Sequence, residues 1–315
     1  MINRELIRKK VVQLTYAYYQ NGNHNMDNAE KELMFSLSKA YDLYNYLLQL
    51  IVDVTKEARK RYDLETVRAQ REGEEAPSSK FAFNSFAVQL EENKALNEWI
   101  EAKHSTWDDD IETVRKIYTT IVESEAYKEY MDSEESSYES DRELWRKLYK
   151  QIITGNADID ALLEEKSLYW NDDKEIVDTF VLKTIKRFEQ ANKANQELLP
   201  EYKDAEDREF GCKLFRAAIL NCDQYQGYMT EASHNWDFSR LAYMDVIIMQ
   251  IAIAELMTFP NIPASVTINE YVELAKEYST PRSGGYVNGM LDNIARFLIA
   301  NGLVMKELPE KNFHR

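Results

Sequence analysis

Apolar positions recur with helical period along most of this chain. Within residues 4–20, Ile7, Val11, Leu14 and Tyr18 follow the i, i+4, i+7, i+11 spacing of one buried stripe. At about 100° per residue, Val12, Tyr16 and Tyr19 fall on a second stripe flanked by Arg8 and Lys9. Either both faces are buried in a bundle, or the second is an apolar surface with basic edges. Residues 29–62 predict a long helix ending in Arg59, Lys60 and Arg61, where cations suit the negative end of the helix dipole. A polar linker (71–79) follows, and helical patterning continues to about residue 130. Short helices are expected over 141–153 and 158–169, and a longer one over 173–198.

The last third is punctuated more sharply. A helix over 204–232 leads to a segment with Asp237 as its expected cap, in which LAYMDVIIMQIAIAEL is apolar almost all round and reads as a central buried helix. Thr267 and Glu270 have the spacing of a capping box. A loop from Thr280 to Gly285 then opens the final helix.

Composition narrows the class to all-α. Only 9 glycines and 6 prolines occur in 315 residues, too few for glycine-turned nucleotide-binding sheets or turn-rich sandwiches. The N-terminus turns charged at once, which argues against a secretory leader, and no apolar run has the ~20 residues of a membrane span. Cys212 and Cys222 read as reduced thiols of a cytoplasmic protein. With 39 basic and 55 acidic residues the net charge is −16, so nucleic acid is repelled at long range and would need a local basic patch or a basic partner. Nine acids against two bases between residues 123 and 143 read as a solvated loop with helix-capping serines.

Little catalytic chemistry is visible. His24, His104, His234 and His314 are scattered without metal-ligand spacing, and neither a P-loop nor G-x-G-x-x-G occurs. Asp108–Asp110 and Asp172–Asp173 stand where helices are expected to start, which makes dipole capping their better account. More suggestive is the segment 279–289. Arg282 and Gly284–Gly285 precede a helix N-terminus, where backbone N–H groups favour a phosphate, and Tyr286 could stack on a base or serve as an ordinary core tyrosine.

The ordered blocks Ala254-Glu255-Leu256, Ile262-Pro263, Ile268-Asn269-Glu270, Val272 to Lys276 and Tyr286 to Asp292 resemble the C-terminal half of the transcription antitermination factor NusB family. IRKKVVQLTYAYYQ resembles that family's arginine-rich first helix, and REFGCKLFRAAILNC its preceding helix. The resemblance covers about 1–20 and 200–300, so most of 25–195 is additional. It implies NusB-like helical bundles with an added helical insertion, divided as an N-terminal region (1–200) and a NusB-like core (201–308). It also implies a non-catalytic protein without cofactor or metal. Its partners would be boxA-type single-stranded RNA, the ribosomal protein NusE and the RNA polymerase antitermination complex, with no membrane. Carried over, the RNA surface falls on Arg4, Arg8, Lys9, Lys10, Arg282, Tyr286 and Asn288, and the NusE-facing surface on Tyr16 and Asp245. An alternative keeps the fold and binds the ribosomal protein without RNA. NusB-like domains also occur fused to RNA methyltransferases, but no glycine-rich cofactor motif supports that here.

Overall fold

A computed structural model describes residues 1–22, 25–232 and 241–307. The expected cap at Asp237, and His24, His234 and His314, lie outside these described residues. The helices are, in chain order, α1 (Arg4–Gln20), α2 (Met26–Glu72), α3 (Ser85–Glu91), α4 (Lys94–Lys103), α5 (Ile111–Glu123), α6 (Glu125–Asp132) and α7 (Tyr138–Leu148). They continue with α8 (Ala157–Lys166), α9 (Lys174–Arg187), α10 (Ala205–Leu220), α11 (Cys222–Ala232), α12 (Tyr243–Thr258), α13 (Ala264–Tyr278) and α14 (Ser283–Ala300). Among the described residues no strand forms, and the β pairing is one isolated parallel bridge between Ile2 and Tyr202. The fold is all-α. None of these helices is long and apolar enough to cross a membrane.

Two compact units divide the chain. One is Ser38–Glu201 with Met1; the other is Ile2–Leu37 with the chain from Tyr202 onward. The sequence reading split the chain once, after residue 200. The contacts split it twice, because α1 packs on α10 and α12 and so belongs with the C-terminal helices. Helix α2 gives residues 26–37 to one unit and the rest to the other.

Several helix limits differ from those expected, each for a local reason. Helix α2 runs ten residues past residue 62, because 61–72 lacks breakers and carries the i,i+4 pairs Arg61–Glu57 and Arg68–Glu72. It stops before Gly73, whose φ of 71° is a left-handed cap. Arg59–Arg61 therefore sits inside the helix, where Arg59 pairs with Glu91 at 2.8 Å. Helix α9 ends at Arg187, and residues 190–195 turn into a 3-10 segment. Asn221 separates α10 from α11. Helix α13 begins directly after Pro263, one turn before the expected capping box. Thr267 is thus internal, and its hydroxyl donates to Glu255 Oε1 at 2.8 Å. Helix α14 starts at Ser283, so Gly284 and Gly285 lie in its first turn.

In the unit of residues 38–201 the core is aromatic: Tyr46 stacks on Trp107 at 4.3 Å, and Phe86 meets Phe188 edge-on at 5.2 Å. The acid-rich 123–143 stretch splits into α6, a linker and α7, with Ser137 capping α7 through a box with Ser140. In the other unit α12 is the axis. Ile247, Ile248, Met249, Ile251, Ala252 and Ile253 are all buried, as an all-round apolar helix requires. Helices α1, α10, α13 and α14 surround it.

Candidate nucleic-acid interface

Helix α1 is held from its first turn. Asn3 Oδ1 accepts from the Leu6 N–H at 2.9 Å, the standard N-cap bond. Leu6, Ile7, Val11 and Val12 are fully buried, so both sequence stripes start inside the bundle; α1 reaches solvent at Glu5 in its first turn and at Tyr16 toward its C-terminal end. The helix lies close against α10, where a Cβ added to Gly211 would stand 3.0 Å from Ile7 Cγ2.

This placement decides the fate of the basic residues. Arg8 is 4% exposed, and its guanidinium clasps Glu255 on α12 with Nε–Oε2 and Nη2–Oε1 distances of 2.8 and 3.0 Å. Glu255 accepts two further bonds, from Thr267 Oγ1 at 2.8 Å and from Tyr271 Oη at 3.0 Å. Each carboxylate oxygen thus has two donors, which is what a carboxylate buried in an apolar helix requires. Arg8 Nη1 also donates to Glu270 at 3.2 Å, and its ring-side face lies 5.5 Å from the Phe210 centroid. Burial pulls the Arg8 guanidinium down, the Glu255 contacts more than reverse it, and the net direction is up. Burial, reinforced by the Glu255 charge, pushes the Tyr271 phenol well up, so it stays a donor.

The other α1 cations are committed in the same way. Arg4 donates to Asp207 and Glu206, each at 3.0 Å, and lies over Phe210. Lys9 pairs with Glu277 and lies over the Tyr278 ring. Lys10 is buried at 2% exposure. Arg8 and Lys10, expected on an RNA-facing edge, are buried where α1 packs against α10 and α12.

The start of α14 is built around one hydroxyl. Ser283 Oγ donates to Asp245 Oδ2 at 2.9 Å and accepts the Thr280 N–H at 3.2 Å. Asp245, in the first turn of α12, is 5% exposed, and its Oδ1 has no hydrogen-bond partner among the described residues. Asp245, expected as a partner contact, is buried and holds the Ser283 hydroxyl at the start of α14. Arg282 and Asn288 are exposed, whereas Tyr286 is half-buried, its phenol raised by burial and then by Asp245. On the adjacent surface Tyr16, 38% exposed, meets Tyr243, 48% exposed, edge-on at 6.0 Å.

Sequence spacing alone did not bring α1 to this loop; two contacts do. Gln13 Nε2 donates to Tyr278 Oη at 2.8 Å, and Lys9 reaches Glu277, immediately before the 279–282 loop. Sequence reasoning also missed Glu255 and Gln250. The signal was present: a carboxylate and an amide inside an apolar helix need buried partners. Gln250 finds Tyr19 Oη at 2.8 Å and the Ala218 carbonyl at 2.7 Å. No group of His, Cys, Asp or Glu able to hold a metal occurs among the described residues.

Fold and junction together define an all-α protein whose first helix is clamped to a central apolar helix through a buried, fully satisfied carboxylate. The profile of the NusB family matches residues 176–296. Transcription antitermination protein NusB of Geotalea uraniireducens is 35% identical over 132 residues, 41% of this chain and 87% of that protein. That of Salinibacter ruber is 33% identical, covering 40% of this chain and 82% of the relative. For the Chloroherpeton thalassium protein, also 33% identical, the match spans 63% of the relative's length. A solved structure of T. maritima NusB shares 30% identity, covers 37% of this chain and 82% of that chain, and has a TM-score of 0.28. The chain belongs to the NusB family.

Proposed function

We propose that this chain is a cytoplasmic, non-catalytic transcription antitermination factor that contacts boxA-type single-stranded RNA beside the ribosomal protein NusE in an RNA polymerase antitermination complex. Family membership supports the class of function. The observation that carries the RNA reading is the Gln13–Tyr278 bond, which sets α1 against the segment leading into α14. There Arg282 and Asn288 are exposed, and Arg282 has no ion pair among the described residues. Arg282, Asn288, the exposed edge of Tyr286 and the partly exposed Arg4 form the RNA face, with the largely buried Lys9 at its edge. Arg8, Lys10 and Asp245 act behind it by positioning the helices.

Because α1 offers few unmatched cations, affinity depends on a basic neighbour that supplies positive field. Labelled boxA-type RNA, titrated by fluorescence anisotropy, should bind more tightly to an equimolar mixture with the ribosomal protein than to the chain alone; equal affinities count against the reading. Arg282→Glu should weaken binding and flatten the log K against log salt slope by about 0.7, the value for one phosphate contact on a single strand.

One observation favours a second reading. The exposed Tyr16–Tyr243 pair is aromatic surface suited to a protein, whereas Arg4, Arg8 and Lys9 of α1 are matched by acids. A chain that captures the ribosomal protein and shifts no RNA would be an interaction module only.

A further inference from the structure

The unit formed by residues 38–201 holds a second, differently built group of cations. Helix α9 buries Phe180, Val181, Thr184 and Ile185 on one side. Its last two turns present Lys183, Lys186 and Arg187 on the other, all exposed. These stand at i, i+3 and i+4, so they are neighbours on one helix face and repel one another. Their side chains make no ion pair or hydrogen bond among the described residues, although the Arg187 charge acts on the Tyr44 phenol. The helix dipole favours cations in the last turn, which accounts for Lys186 and Arg187 but leaves Lys183 a turn too early.

The three face a cleft of about 730 Å³. Its far wall is the 3-10 segment Gln190–Asn195, which presents Asn192 and Asn195, with Glu189 and Glu197 at its margins. That wall is rigidly built. Lys193 has φ 46° and ψ −139°, a conformation costly for a residue with a Cβ. Buried Gln89 holds it by donating to the Glu189 and Lys193 carbonyls, each at 3.0 Å. Gln196 Oε1 accepts the Glu189 N–H and Asn192 Nδ2, each at 2.9 Å, and Asn93 donates to the Gln196 carbonyl at 2.7 Å.

We propose that this cleft is a second contact for the phosphate backbone of single-stranded RNA, carried by the added helical unit. The inference rests on the reading that the chain binds RNA. Three adjacent unmatched cations in a chain of net charge −16 mark a place where a polyanion is tolerated. Their spacing along the helix suits successive phosphates of an extended strand, and the two asparagine amides can serve a 2′-hydroxyl or a base edge. Asn192 Nδ2 already donates to Gln196 Oε1, so of the two amides Asn195 is the more open to such a contact.

The test uses the full chain, a fluorescein-labelled single strand of roughly 16 nucleotides, and anisotropy titrations at several potassium chloride concentrations. The variants are Lys183→Gln/Lys186→Gln/Arg187→Gln, Asn192→Ala/Asn195→Ala and Arg282→Glu, each checked for native circular dichroism. Loss of three phosphate contacts should flatten the salt slope by about 2. Between ~50 and ~200 mM salt, wild-type affinity should then fall roughly twentyfold more than that of the triple variant. An unchanged slope in the triple variant, with Arg282→Glu still impaired, overturns the cleft contact and leaves the RNA reading standing. No RNA binding by wild type, alone or with the ribosomal protein, overturns both. Competition by polyglutamate as effective as unlabelled RNA, with the asparagine variant unaffected, would assign the cleft to an acidic protein instead.

Discussion

Basic residues cluster on α1 and again at the end of α9, and the two clusters have opposite fates. Arg8, Lys9 and Lys10 are buried, and Arg8 is matched by Glu255 and Glu270. Lys183, Lys186 and Arg187 stand in solvent without ion pairs among the described residues. What differs is the neighbourhood, not the residue type. Helix α1 is packed between α10 and α12, where an unmatched charge is costly, so acids from distant helices pair with Arg4, Arg8 and Lys9. Helix α9 buries one side and leaves the other to water. Formal charge along a sequence therefore says little about charge on a surface. The helix that reads as basic is electrostatically quiet, and the segment with no conspicuous motif carries the unmatched field.

The sharpest way to break this comparison is to reverse one charge in each cluster. Arg8→Glu would bring a third carboxylate against Glu255 and Glu270. Removing one partner of a buried pair costs about 3–5 kcal/mol, and reversal should cost at least that. Lys186→Glu, at an exposed site, should stay within about 0.5 kcal/mol. Urea unfolding followed by circular dichroism at one pH measures both; equal losses would mean that burial does not separate the clusters.

Much of the framework was legible in the sequence. The limits of α1 and the all-round burial of α12 follow from periodicity, because a local pattern suffices to define them. The length of α2 was not, because its last turns rest on i,i+4 ion pairs rather than an apolar stripe. Nor was the true start of α13: Thr267 and Glu270 have capping-box spacing, yet one bonds Glu255 and the other Arg8. The candidate site was legible only in part. Arg282 and Asn288 emerge exposed, whereas Arg8 and Asp245 turn inward because their partners, Glu255 and Ser283, lie far along the chain and no local spacing announces them.

A smaller effect should follow from loosening the helix contact that forces α1 into its buried position. Gly211→Val places a branched side chain where even a Cβ stands 3.0 Å from Ile7 Cγ2, against buried Leu33 and Leu37 as well. Overpacking of this kind costs about 1–3 kcal/mol, which a thermal melt resolves. If α1 is held chiefly by its ion pairs, the helix will shift and the loss will be negligible. A clear drop in melting temperature would show that close packing creates the environment in which Arg8 must be paired.

The smallest effect is a pH dependence confined to the rim of the buried cluster. Burial pushes the Glu270 carboxyl above its usual 4.5, and the opposing attraction of Arg8 does not cancel this. Between 4.5 and that raised value the folded chain holds more protons at this site than the unfolded chain. Stability from this group is therefore present below 4.5 and is lost as pH rises through the raised value. Glu270→Gln, neutral at every pH, should flatten the urea midpoint against pH in that window while leaving the Arg8–Glu255 clasp intact. Should the profile of Glu270→Gln follow that of the unaltered chain, the asymmetry between an acid-matched cluster and an open, unmatched one would fail at its most sensitive point, because partial burial at Glu270 forces a carboxylate to choose between losing water and holding its proton.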